Sequence, residues 1–145
     1  MAIAFDNRWK IILDQLESVL ESEFKRTLPI YKGVEIPKGI NQALQLIPDS
    51  SVLSEYNTNS ETREYTINVK YVFAEANVNE KALDHILRQV ERIEALIHNN
   101  MAMVLSDSSR AFNCRFESTN LNTEADSGVY VTQWEWKCQH QGNYS

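Results

Sequence analysis

At 145 residues, with 43% hydrophobic and 23% charged side chains, the chain can bury a core without disulfide or metal staples and is expected to form one domain over 1–145. Twenty acidic residues against fourteen basic ones leave a net charge of −6. The basic residues are scattered, with Lys25-Arg26 the densest pair, which argues against a face that grips nucleic acid. No apolar run approaches the roughly 18–20 residues that span a bilayer. Residues 1–10 mix apolar side chains with Asp6, Arg8 and Lys10, so no secretory leader is expected and a reducing compartment is the default.

Phe5, Trp9, Ile12, Leu16, Val19, Leu20 and Phe24 recur at helical steps, with Asp14, Glu17, Glu21 and Lys25 opposite. That stripe predicts a helix running to Leu28, where Pro29 stops it. Residues 29–39, punctuated by Gly33, Pro37 and Gly39, read as a stiff connection. Residues 42–47 predict a short edge strand ended by Pro48, and the polar residues 49–62 a long loop. Residues 64–73 then alternate strictly: Tyr65, Ile67, Val69, Tyr71 and Phe73 on one face, Glu64, Thr66, Asn68 and Lys70 on the other. This is a strand with one buried face.

Leu83, Ile86, Leu87, Val90, Ile93 and Ile97 predict a second amphipathic helix. Asn77 is its expected N-cap, with Glu80 three residues on, and Asn99-Asn100 its end. Asp84 and Arg88, four apart, form an expected surface pair worth a few tenths of a kcal/mol. Residues 101–105 continue the helix or begin a turn. Two strands follow: 111–117, with Phe112, Cys114 and Phe116 sharing a face, and 129–140, with Tyr130, Trp134, Trp136 and Cys138 sharing one. The polar stretch 118–128 reads as the loop between them. The expected fold is a single two-layer α+β domain, an antiparallel sheet of about four strands packed by two helices in the order α-β-β-α-β-β.

Chemistry-bearing patterns are sparse. Cys114 and Cys138, the only cysteines, fall on apolar strand faces and read as buried thiols; a disulfide needs their strands to be neighbours, and a reducing compartment disfavours one. His85 and His98 lie on nearly opposite faces of one helix and cannot chelate together, so no metal site is expected. His140 with either cysteine is the best available nucleophile pair, but no third orienting group accompanies it. The four glycines form no phosphate-binding motif. Neither catalytic residues nor a cofactor are expected.

The order of elements and several segments resemble tailed-bacteriophage tail-terminator and neck proteins, the minor tail and head–tail joining family. The resemblance rests on the long first helix, the strand at 63–73 and the helical run Ala82-Leu83-Asp84-His85-Ile86-Leu87-Arg88 with Arg92-Ile93-Glu94-Ala95-Leu96-Ile97-His98. The closing Gln133-Trp134-Glu135-Trp136-Lys137-Cys138 with Gly142 completes it. It implies a non-enzymatic virion protein, made in the host cytoplasm, that forms a homo-oligomeric, hexameric ring at the head-proximal end of the tail. Such a ring ends tail-tube growth and contacts the tail tube protein and the head connector or stopper protein, away from any membrane. DNA passes through the lumen without specific binding. If the sheet lines that lumen, Thr66, Asn68, Lys70, Gln133, Glu135, Lys137 and Gln139 border the DNA path. A head-completion or stopper protein is the alternative within the virion; a small cytosolic ligand-binding domain or enzyme is the alternative of another class.

Overall fold

The computed structural model describes residues 7–25, 27–33, 41–56, 60–74, 80–122 and 129–143. Asn7 caps the first helix: its side-chain oxygen accepts the Lys10 backbone N–H at 3.2 Å, satisfying a donor that a helix start leaves free. Helix α1 spans Arg8–Phe24 and buries Ile12, Leu16, Val19, Leu20 and Phe24. It ends short of Leu28 because Lys25 takes a positive φ of 53° and its N–H closes on the Glu21 carbonyl at 2.6 Å. The turn therefore precedes Pro29 and does not depend on it. Phe5 lies outside the described residues.

The sheet departs most from expectation. In place of about four antiparallel strands the described residues form six, in spatial order β1-β2-β3-β6-β5-β4, and the sheet curls into a half-barrel. Along the chain the elements are β1 (Ile30–Lys32), β2 (Gln42–Tyr56), β3 (Ser60–Ala74), α2 (Glu80–His98), β4 (Met103–Val104), β5 (Arg110–Asn122) and β6 (Val129–Asn143). The sheet is mixed because β1 runs parallel to β2, pairing Ile30 with Leu44 and Lys32 with Leu46. Three residues between Pro29 and Gly33 are too few to show a period, which is why this segment reads as a connection. Gly33, at φ 66°, turns the chain away where a side chain would be strained.

Residues 42–47 do form strand, but neither an edge nor a short one. Strand β2 lies between β1 and β3 and continues through Pro48 to Tyr56. Proline is tolerated there because β1 pairs only as far as Leu46, leaving Pro48 without an outer neighbour among the described residues, and because the ladder shifts register between Pro48 and Ser50. The expected loop at 49–62 is mostly a hairpin arm, with residues 57–59 outside the described set. Its polar composition misleads because nearly all of 48–56 is exposed, so no buried face imposes an alternation.

Strand β5 corrects a second pattern. Asn113 has φ 55° and the pairing to β6 shifts between Phe112 and Arg115. This bulge turns Ala111 and Cys114 inward and leaves Phe112 exposed, so Phe112, Cys114 and Phe116 do not share a face. The strand also runs on through 118–122, part of the expected loop at 118–128. Residues 101–105 resolve into a turn and β4, which pairs Met103 with Ala111.

Helices α1 and α2 cover one face of the sheet. Their stripes join Tyr65, Ile67, Val69, Tyr71, Tyr130, Trp134, Trp136 and Cys138 in one core cluster. From α2, Ile86, Val90, Ile93 and Ile97 are buried, whereas Leu83 and Leu87 at its first turns are exposed; its expected cap, Asn77, lies outside the described residues. Trp9 meets the Tyr65 ring edge-on at 4.9 Å. Arg92 binds Glu23 at 2.8 Å and lies 4.7 Å over the Phe24 ring, tying α2 to α1. The Arg88–Asp84 pair forms at 3.0 Å on the exposed face.

Candidate functional site

With one face of the sheet under the helices, strand alternation turns the other face outward. On it, β3 and β6 set their residues side by side: Thr66 opposite Lys137, Asn68 opposite Glu135, Lys70 opposite Gln133, and Glu64 opposite Gln139. The register thus brings all seven candidate residues, Thr66, Asn68, Lys70, Gln133, Glu135, Lys137 and Gln139, into two adjacent rows. Gln133 is exposed, Thr66 is buried beneath its neighbours, and the other five are intermediate.

Register also adds residues that the alternation alone leaves out of this set. Arg115 of β5 pairs with Lys137 and reaches across to Glu64 at 3.2 Å and Glu117 at 2.6 Å. Lys137 lies 3.2 Å from Glu135 and 3.5 Å from Glu64. Glu64 is therefore shared by both cations. The hydrogen bond to Glu135 leads in raising the Lys137 pKa above its ordinary value. Burial works against the charge on Arg115, but its bonds to Glu64 and Glu117 outweigh that and raise its pKa. Only cross-strand geometry reveals this network, since Glu64, Arg115 and Lys137 are remote in sequence.

A second polar cluster sits on the helix-covered side. His140 is buried, and its Nε2 lies 2.9 Å from the Ser109 hydroxyl. That hydroxyl donates to Asp107 Oδ1 at 2.5 Å, and the Ser109 backbone N–H donates to the same oxygen at 3.0 Å. A serine has one hydroxyl proton, and here the carboxylate takes it. The imidazole must then donate to Ser109, the reverse of what nucleophile activation requires. The cluster fastens the β4–β5 turn to β6. Cys114 and Cys138 are free, buried neighbours; contact with Cys114 and burial together push the Cys138 thiol up, keeping it protonated and unreactive.

Burial holds the His140 pKa below its ordinary 6.5, with the Arg8 charge adding to the effect and Asp107 opposing it. The unfolded chain therefore binds a proton that the folded chain refuses. Stability is present in full above about pH 6.5 and falls as pH drops from there toward the folded pKa. Urea titrations at about pH 7.5 and pH 5 should show this loss, and His140→Asn should flatten it. A wild type more stable at the lower pH would contradict the assignment.

His85 and His98 are exposed on α2, and His85 packs on the Phe73 ring at 5.4 Å. Among the described residues no three His, Cys, Asp or Glu side chains converge as a metal site. A groove of about 250 Å³ between α2 and β5 is lined in part by Glu94, His98, Met101 and Arg115. Its main polar groups are already engaged: Glu94 accepts from Trp134 Nε1 at 3.0 Å and Thr119 Oγ1 at 2.7 Å, and Arg115 is held by Glu64 and Glu117. Among the described residues no helix is long and apolar enough to cross a membrane.

No protein-family model matches the chain, and no curated protein matches it. Among solved structures it is similar to a chain in the virion of a native gene transfer agent particle. The TM-score is 0.66 at 12% identity, over 92% of this chain and 93% of that one. At that identity the likeness establishes a shared fold, and the coverage extends it across nearly the whole of both chains.

Proposed function

We propose that this chain is a structural protein of a tailed-phage-type virion, one that forms a ring at the head-proximal end of the tail, ends tail-tube growth and joins the tail to the head connector. The observation that carries the reading is the near-full-length fold likeness to a chain of a phage-like virion particle. The resemblance of the sequence to tail-terminator proteins supplies the layer. Two features support ring assembly. Among the described residues the outer half of β2, residues 48–56, has no strand on its far side, and Val52, Leu53 and Tyr56 are exposed there. A free apolar edge of this kind takes up a neighbour's strand or is aggregation-prone alone, and a head-to-tail contact closes into a ring when its rotation permits. Native mass spectrometry and electron microscopy of virions test the proposal. A strict monomer in solution with no ring in the particle would end it.

In this ring the open sheet face borders the channel, so the seven residues named above face the passing DNA. Polar, charge-balanced rows hydrogen-bond without the clustered cations that hold phosphates. The combined variant Gln133→Lys, Glu135→Lys and Gln139→Lys should fold, because these positions are at least partly exposed. It should slow genome ejection or impair assembly in particles carrying it. Particles that eject at the wild-type rate, or a reconstruction placing this face outside the ring, would count against the channel assignment alone.

A further inference from the structure

We infer that Glu64, Glu117 and Glu135 keep the open face from binding polyanions by holding Arg115 and Lys137 in ion pairs, so that exchanging these carboxylates for amides makes the same face bind duplex DNA. The inference deepens the proposed function and rests on its reading that this face is presented to DNA.

Charges on the open face are nearly balanced. Four cations lie there by register, Lys70, Arg110, Arg115 and Lys137, against four carboxylates, Glu55, Glu64, Glu117 and Glu135. Arg115 is bridged between Glu64 and Glu117, and it donates through Nη1 to the Asn113 carbonyl at 2.9 Å. Lys137 is bridged between Glu64 and Glu135. These side chains are about a quarter to two-fifths exposed, so the pairs are partly shielded from the solvent that weakens fully exposed ones. A phosphate approaching Arg115 or Lys137 must therefore displace a carboxylate already in place. Lys70 stands apart, flanked across the sheet by Gln45 and Gln133, and Arg110 lies at the far start of β5. Two separated cations per copy are a weak anchor, because nonspecific affinity for DNA grows with the number of phosphates neutralised together.

The geometry also shows why the neutralisation is local. Glu64 on β3 reaches both β5 and β6 cations because β6 lies between β3 and β5 in the sheet. No single-strand pattern would place it there. The network spans three strands and leaves most of the rest of the face to amides and hydroxyls.

The test compares retention of a linear DNA duplex of mixed sequence by three proteins at low salt: wild type, the triple variant Glu64→Gln, Glu117→Gln, Glu135→Gln, and a control triple variant Glu21→Gln, Asp84→Asn, Glu91→Gln. The control makes the same change in net charge at exposed helix positions away from the open face, and the one ion pair it breaks, Arg88–Asp84, is itself well exposed. The face variant should bind at least about tenfold tighter than wild type, with a log–log salt slope steeper by about 2 per copy, near one for each of the two released cations. The control should bind like wild type. Equal gains in both variants would make this a net-charge effect and overturn the inference, as would no gain in the face variant or tight binding by the wild type. Should the triple variant fail to fold, the double variant Glu117→Gln, Glu135→Gln carries the same test. It keeps Glu64 and must bind tighter than wild type, and no gain there would be equally fatal. Failure here beside a ring seen by microscopy would remove this inference and leave ring assembly standing.

Discussion

Replacing Trp134 with alanine is expected to cost about 3–5 kcal/mol of folding stability, the range for deleting a fully buried tryptophan. Trp134 has no exposed surface and stacks on Phe116 with centroids 5.1 Å apart and planes 11° from parallel. Its indole N–H also donates to Glu94 of α2. One side chain thereby joins β6, β5 and the second helix. Truncation opens a cavity at their junction and leaves the Glu94 carboxylate with the Thr119 hydroxyl as its remaining donor among the described residues. Trp134→Phe retains most of the ring and loses the donor, so about 1–2 kcal/mol is expected. Urea denaturation would measure both, through a lowered midpoint at unchanged slope. A cost below about 1 kcal/mol for the alanine variant would mean the site repacks, contrary to its position in the core.

The other large effect concerns assembly with little change in fold. Val52, Leu53 and Tyr56 are 61%, 44% and 71% exposed, so they contribute little to the isolated chain. Exchanging all three for threonine retains strand propensity and should move stability by no more than about 0.5 kcal/mol each. If this arm is the ring contact, the same variant should stay monomeric where the wild type assembles, and particles depending on it should lack the ring. Analytical ultracentrifugation beside thermal melts separates the two effects. Intact rings built from the threonine variant would move the contact elsewhere.

The helices and the two central strands are legible in the sequence because each has one dry face. Burial of Ile12, Leu16, Leu20 and Phe24 on α1, and of Tyr65, Ile67, Val69 and Tyr71 on β3, follows the apolar spacing. The rest of the sheet lacks that signal for physical reasons. Strand β1 is too short to show a period, the outer arm of β2 has no buried face, and the Asn113 bulge changes the phase of β5 midway. The candidate face was partly readable. Alternation assigns Thr66, Asn68, Lys70, Gln133, Glu135, Lys137 and Gln139 to one side, but only register joins Glu64 to Arg115 and Lys137. Likewise, His140 is visible in the sequence as a lone histidine, and its partners Ser109 and Asp107 become visible only when the β4–β5 turn is placed against β6.

The spatial order of the strands constrains how the chain acquires its structure. Strand β6 follows the other five in synthesis, yet it sits near the middle of the sheet between β3 and β5. Its ladder with β3 joins segments as remote as Ser60 and Asn143. Until β6 is made, the β2–β3 hairpin and the β4–β5 pair share no ladder, and Tyr65, Ile67, Val69 and Tyr71 lack the strand that flanks them. Long-range pairing of this kind pays its loop-closure entropy late, so folding on the millisecond-to-second scale is expected rather than microseconds. Nascent chains carry two unsatisfied inner edges throughout that interval, which makes them targets for holding chaperones and prone to wrong pairing when crowded.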